Sequence, residues 1–149
     1  MSVRSFIDTN VLLYADSPTE PRKQSIALAL VSEHLRAGSG VISMQVLHEF
    51  AAAGLKKLAL PDSLLRSRID LYARFEIVAP GVGALKEALA LRVMHQLSFW
   101  DASIIQAARD GGCTQVQSED LATGASMGGV LIVDPFQARA VAAAPRRRR

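Results

Sequence analysis

The sequence has few of the residues and segments that mark secreted, zinc-binding or membrane proteins. It contains one cysteine, Cys113, so an internal disulfide cannot form, and its three histidines show no metal-binding spacing. No apolar run approaches the roughly 20 residues of a membrane helix, and the N-terminus lacks the apolar core of a signal peptide. Aromatic residues make up only 5% of the chain, which argues against extensive stacking on nucleic-acid bases. These absences predict a cytoplasmic protein.

The residues that are present predict one folded domain with a basic tail. Half of the 149 residues are hydrophobic and 21% are charged, which suits a soluble domain with one core. The net charge of +3 comes from Arg146 to Arg149, because without them 13 basic residues face 14 acidic ones. We expect a domain over residues 1–144 and a solvated, disordered tail over residues 145–149. Such a tail could also hold phosphates in a salt-dependent way.

Short apolar segments alternate with segments of helical periodicity along the chain. This alternation predicts an α/β domain whose parallel sheet is covered by helices on both faces, with ligands bound beyond the carboxyl ends of the strands. Strands are predicted at residues 3–7, 40–44, 76–80, 114–118 and 130–134. Helices are predicted at residues 9–15, 20–38, 45–58, 61–75, 84–97 and 99–112, with a short one near 136–144.

Two acidic residues directly follow predicted strands. Asp8 ends the first strand, where an Asp is equally well explained as the N-cap of the next helix. Asp120 follows a later strand in a polar loop, and taken alone it is best explained as a surface residue. Ser118 could share a rim with Asp120, while the neighbouring Glu119 could take its place.

Two further acids lie on predicted helices that could reach the same edge of the sheet. Glu49 falls at the border of its helix's apolar stripe, where an acid is usually solvated. Ser98 and Asp101 have the spacing of a capping box, although that motif more often ends in Glu or Gln. Phe99 and Trp100 beside them are expected to pack into the core and limit the access of water.

Together the four acids indicate a metal site. Crowded carboxylates repel one another and raise each other's pKa, and a divalent cation removes that cost. Oxygen ligands without His or Cys favour Mg²⁺ or Mn²⁺, whose chemistry suits phosphodiester hydrolysis. Asn10, two residues after Asp8, could orient a neighbouring carboxylate or a water.

Four segments of the sequence resemble, in order and spacing, the signature segments of PIN-domain ribonucleases, and in particular the VapC-type toxins of bacterial toxin–antitoxin pairs. The segments are FIDTNVLLYA, VLHEF, SFWDASIIQAA and SEDLATGASMGGVLIVDPF, and each contains one of the acids. The resemblance implies a three-layer α/β/α sandwich with a central, mostly parallel sheet. It also implies Mg²⁺-dependent endonucleolytic cleavage of RNA.

The resemblance also assigns site residues and partners. It implies Asp8 and Asp101 as direct metal ligands, Glu49 and Asp120 as ligands that bind directly or through water, and Asn10 as a supporting neighbour. It further implies a homodimer, held inactive by a small antitoxin that inserts a segment near the site. The substrate RNA and its cleavage position cannot be read from the sequence.

Other interpretations stay open at this point. The chain could be a catalytically silent module that binds RNA or a partner. A phosphatase that forms a phospho-Asp is less favoured, because it needs a second acid where Asn10 stands, and because Lys56 and Lys57 lie at the far end of their helix. Contacts to RNA are expected from scattered cations: Arg4, Arg22, Lys23, Arg92 and Arg109.

Overall fold

Helices and strands alternate along residues 3–137, which are the residues that the computed structural model describes. The strands are β1 (Ser5–Ile7), β2 (Gly40–Ser43), β3 (Glu76–Val78), β4 (Gln115–Gln117), β5 (Ser126–Met127) and β6 (Val130–Val133). The helices are α1 (Thr9–Ala15), α2 (Pro21–Ala37), α3 (Met44–Lys56), α4 (Asp62–Tyr72), α5 (Val82–His95) and α6 (Phe99–Asp110). The predicted short helix near residues 136–144 and the arginine tail lie almost wholly outside the described residues.

The strands form one sheet in the order β3-β2-β1-β4-β6-β5. The neighbouring pairs from β3 to β6 are parallel, and β5 alone among the described strands pairs antiparallel, with β6. The predicted α/β/α fold with a mostly parallel sheet is therefore confirmed. Strand β5 was not predicted, because two residues carry no periodicity. It forms a hairpin at Gly128 and Gly129, whose φ angles of 58° and 82° suit a tight two-residue turn.

The core anchors the central strands in fixed positions. Phe6, Val41, Val116 and Ile132 stand side by side on one face of the sheet and are almost completely buried, and Ile7 and Ile42 are buried on the other face. Such burial on both faces is typical of parallel sheets. Because the strands are held in this way, the residues just beyond their carboxyl ends are also held in place.

The junctions from strand to helix are immediate at this edge of the sheet. Asp8 is the single residue between β1 and α1, and Ser43 both ends β2 and caps α3 by accepting a hydrogen bond from the Val46 amide. Side chains with N-capping oxygens therefore stand where the strands end. None of the helices described within residues 3–137 is long and apolar enough to cross a membrane.

Candidate active site

The site lies where the chain changes direction across the sheet. Strands β2 and β3 lie on one side of β1, whereas β4 lies on its other side. In parallel sheets, a ligand site is expected at such a switch point. Ile7 pairs with Gln117, so the next residues, Asp8 and Ser118, emerge side by side. The Asp8 amide extends the ladder by donating to the Gln117 carbonyl at 3.0 Å.

Asp8 is buried and held by three neutral groups. Its carboxylate accepts hydrogen bonds from the Thr9 amide at 2.8 Å, the Ser118 hydroxyl at 2.8 Å and the Asn10 amide group at 3.4 Å. The pKa of Asp8 is raised from 3.8 to about 6, mainly by burial and also by the charges of Glu49 and Asp120, against the lowering effect of the bonds from Ser118 and Thr9. Asp8 therefore both caps α1 and carries a charge that its surroundings disfavour.

Glu49 reaches the site from the second turn of α3. The Thr9 hydroxyl donates to Glu49 Oε2 at 2.8 Å, and the Gln45 amide donates to Oε1 at 2.9 Å. Thr9, the first residue of α1 and the neighbour of Asp8, thus connects α1 to α3. The sequence interpretation missed Thr9 and Gln45. The spacing of Gln45 and Glu49, four residues apart on one helix, was the available signal.

Asp120 joins the site through Asn10. The Asn10 amide nitrogen lies 3.1 Å from Asp120 Oδ2 and 3.3 Å from the Ser118 hydroxyl. The Ser118 hydroxyl in turn accepts a hydrogen bond from the Asp120 amide at 3.2 Å. Asn10 therefore contacts two carboxylates, those of Asp8 and Asp120.

Glu119 points away from this cluster. Its carboxylate accepts a hydrogen bond from the Tyr14 hydroxyl at 2.9 Å and pairs with Lys23 at 2.8 Å. The bond to Glu119 also raises the pKa of Lys23, which favours its charged ammonium form. The Glu119 amide donates to Asn10 Oδ1 at 3.2 Å. Of the two adjacent acids, Asp120 is thus the one whose carboxylate shares a hydrogen-bond donor, the Asn10 amide group, with Asp8.

Asp101 lies in the first turn of α6. Because α6 leads through a loop into the parallel strand β4, it runs antiparallel to the sheet, and its first turn lies at the carboxyl edge. Ser98 caps the helix by accepting a hydrogen bond from the Asp101 amide at 3.1 Å, as predicted. The half-buried Asp101 carboxylate makes no hydrogen bond or ion pair with any residue in the described part of the chain.

The expectation that Trp100 packs into the core is wrong. Its side chain is 62% exposed, while Phe99 is partly buried against the core. Trp100 borders an open groove of about 840 Å³ between α3, α5 and α6, where no described residue covers it. Glu49 also lines this groove, so the acidic site and the exposed tryptophan share one surface.

The four acids have no Lys or Arg partner among the described residues, whereas four other carboxylates of the fold do. Asp16, Asp62, Glu76 and Glu119 each pair with a Lys or Arg. Within residues 3–137, by contrast, Asp8, Glu49, Asp101 and Asp120 accept hydrogen bonds only from neutral groups or from none. No described side chain therefore pairs a positive charge with any of these four acids.

This donor set fits a hard divalent cation. All the candidate ligands are oxygens, and the raised pKa of Asp8 reflects a buried charge that a cation would stabilise. No three His, Cys, Asp or Glu side chains in the described part of the chain already stand in metal-binding geometry. Instead, three of the carboxylates are held by separate hydrogen bonds: Thr9 donates to Glu49, Asn10 to Asp120 and Ser118 to Asp8.

The chain has the fold of known toxins. It is similar to a toxin–antitoxin complex from Klebsiella pneumoniae, with a TM-score of 0.63, 22% identity and coverage of 88% of this chain and 97% of that one. It is also similar to the sarcin–ricin loop cleaving toxin VapC20 of Mycobacterium tuberculosis (TM-score 0.59, 18% identity, 78% and 91% covered). A third similar structure is VapBC2 from Rickettsia felis, bound to a DNA fragment from the VapBC2 promoter (TM-score 0.63, 15% identity, 86% of this chain and 96% of that one covered).

Sequence comparison gives the family. A search of curated proteins found no significant match. The profile of the PIN domain, however, matches residues 5–122, which include all four acids and Asn10. The chain therefore belongs to the PIN domain family.

Proposed function

We propose that this protein is a divalent-metal-dependent endoribonuclease, and that it acts as the VapC-type toxin of a toxin–antitoxin pair. The observation that carries the proposal is the cluster of carboxylates without cations at the carboxyl edge of a PIN-domain sheet. Asp8, whose pKa is raised to about 6, is its most buried member. Membership of the PIN family and the fold shared with VapC toxins support the same function.

In this proposal, each residue of the site has a distinct task. Asp8 and Asp101 would bind the metal directly, and Glu49 and Asp120 would bind it directly or through water. Bound there, Mg²⁺ or Mn²⁺ would supply a Lewis acid for the phosphodiester oxygens and lower the pKa of a water. Asn10 and Ser118 orient Asp8, while Thr9 and Gln45 orient Glu49, which can then hold the attacking water.

A cleavage assay tests the function. Purified protein is incubated with total cellular RNA in Mg²⁺ or in excess chelator, and the Asp101→Asn variant is incubated in parallel. The proposal predicts discrete fragments only for the unaltered chain in Mg²⁺, and the fragment ends identify the cleavage site. Intact RNA in every sample, from protein that binds Mg²⁺ and is free of any co-purified partner, would favour a silent PIN module instead.

The proposed partner is a small antitoxin protein, and the proposed location is the cytoplasm, where the substrate RNA is found. Two of the structures with this fold are toxin–antitoxin or VapBC complexes, which supports such a partner. Its inhibitory segment would bind near the acidic site. Co-expression with the product of a neighbouring reading frame tests the interaction, because the true antitoxin should suppress RNA cleavage by the purified complex.

We also propose a homodimer that forms through an apolar face on α5. Val82, Leu85, Leu89 and Val93 follow helical spacing and are 46% to 72% exposed. Trp100 on the adjacent α6 is also exposed, and α5 packs against α6. A second copy of the same face would cover these side chains, as expected for an isologous interface.

Val93→Glu is expected to shift the protein toward monomers, with the dimer dissociation constant rising at least about tenfold. In an isologous dimer, the new carboxylates from both copies enter an apolar interface. Light scattering over a concentration series measures the shift. The control is Leu28→Glu, because Leu28 is 52% exposed on α2, away from this face. Equal dimerisation of both variants would place the interface elsewhere.

A further inference from the structure

A second groove leads away from the acidic site along α3. It has a volume of about 590 Å³ and lies between α1 and α3. Glu49 and Asp120 line it at one end, and Lys56 and Lys57 line it at the other. The groove therefore connects the acids to two cations, although the sequence had suggested that these lysines were too far along the helix to matter.

The geometry of α3 explains this connection. Lys56 follows Glu49 by seven residues, which is close to two helical turns, so both side chains lie on the same face of the helix. With a rise of about 1.5 Å per residue, their Cα atoms are separated by about 10 Å along the axis. Ala52 and Ala53 lie between them and also line the groove, so small side chains leave the path open.

The two lysines are free, whereas most of the other cations that were expected to contact RNA are engaged. Neither Lys56 nor Lys57 makes a side-chain hydrogen bond or ion pair with any residue from 3 to 137. Arg92 lies on α5 and does not line the groove. The engaged cations are Arg4 with Glu76 and Gly111, Arg22 with the Phe136 carbonyl, Lys23 with Glu119, and Arg109 with Gln106.

We infer that Lys56 and Lys57 bind backbone phosphates of the RNA. The strand segment on one side of the scissile bond occupies the α1–α3 groove, where these lysines lie. This inference rests on the proposed nuclease function and assigns its substrate a path. A polyanion that approaches four carboxylates is repelled unless positive charge also lines its route. Lysine ammonium groups contact phosphates as point charges, so these contacts would position the strand without reading its sequence.

The salt dependence of RNA binding tests the inference. The probe is a fluorescein-labelled single-stranded RNA of mixed sequence, and binding is followed by anisotropy in the cleavage-deficient Asp8→Asn background. Adding Lys56→Ala and Lys57→Ala should weaken binding at low salt. It should also reduce the slope of log K against log salt by about 1.4, at about 0.7 for each lost phosphate contact.

The matched control removes two cations from the opposite edge of the sheet. Arg36 lies in the last turn of α2 shortly before β2, and Arg74 stands shortly before β3, so both lie at the amino ends of the strands. Both are exposed. Arg36→Ala with Arg74→Ala changes the net charge equally, and it should leave the slope as it was. Replacing both lysines by arginine should keep the slope, because the positive charges are retained.

The outcomes separate this inference from the proposed function. If the double variant Lys56→Ala, Lys57→Ala and the control Arg36→Ala, Arg74→Ala gave equal slopes, the inference would be overturned. The groove would then be available for a protein segment. RNA cleavage by the unaltered chain in Mg²⁺ is scored independently. A reduced slope for the lysine pair, without any cleavage by the unaltered chain, would support the RNA path and reject the nuclease.

Discussion

Asp8→Asn is expected to abolish RNA cleavage, by at least about a thousandfold, and at the same time to stabilise the metal-free protein at neutral pH. The loss of activity follows because a neutral amide is a poor ligand for Mg²⁺, and several kcal/mol of charge stabilisation are lost with the metal. The gain in stability follows because Asp8 is 8% exposed and faces the like charges of Glu49 and Asp120.

The raised pKa of Asp8 determines how the free energy of unfolding changes with pH. Asp8 has a pKa of about 6 in the folded chain and an ordinary value of 3.8 when unfolded. Between these values the folded state binds more protons than the unfolded state, so the free energy of unfolding falls as the pH rises. The loss amounts to at most about 3 kcal/mol and is complete above the folded pKa.

The substitution should recover part of that loss. The side-chain amide of the new Asn still offers an oxygen to the Thr9 backbone amide, but its NH₂ group faces the Asn10 side chain, which is also a donor. The net gain in the free energy of unfolding is therefore about 1 to 3 kcal/mol at about pH 7.5. The gain should shrink toward about pH 4. Urea denaturation in chelator across this range measures it, with the exposed Asp70→Asn variant as the control. A variant that is less stable than the unaltered protein at neutral pH would contradict this account of Asp8.

Asp120→Asn and Glu119→Gln should affect different properties, although the residues are adjacent. Asp120→Asn is expected to lower cleavage about 100-fold, a loss typical of groups that support a bound metal. It should change stability little, because Asp120 is exposed. Glu119→Gln should keep cleavage within severalfold and lower the urea midpoint, because it weakens the pair with Lys23 and the bond from Tyr14.

Initial cleavage rates and urea midpoints, measured on the same preparations, separate the two effects. The Lys23→Met variant provides a second comparison, since it breaks the same ion pair from the other side and should resemble Glu119→Gln. If Glu119→Gln proved to be the inactive variant while Asp120→Asn cleaved normally, Glu119 would be the acid of the site, and its bonds to Lys23 and Tyr14 would have to open in the active protein.

Local signals were sufficient to predict most of the fold. The change from the apolar run of β1 to Asp8, Thr9 and Asn10 marks a strand that ends and a helix that begins, and the structure places α1 at Thr9–Ala15 as predicted. Ser98 was likewise predicted as a cap and is one. Strand β5 was missed because its pairing with β6, rather than its own two residues, defines it.

The details of the site depend on contacts between distant residues, which a single sequence does not reveal. Nothing near Glu119 indicates that Tyr14 and Lys23 bind it, since they precede it by 105 and 96 residues. Trp100 has the composition of a core residue, yet it borders an open groove. Lys56 and Lys57 are connected to Glu49 by a groove that α1 and α3 form together, and α1 is distant from these lysines in the sequence.

Calorimetric titration of Mn²⁺ measures whether the four acids form one metal site. Asp101 is the decisive residue, because its carboxylate contacts none of the other three acids within the described residues. We expect saturable binding to the unaltered chain, at least about tenfold weaker binding to Asp101→Asn, and unchanged binding to Asp110→Asn at the other end of α6. Binding to Asp101→Asn that equals the unaltered chain, or no binding to either, would contradict a single metal site formed by the four acids.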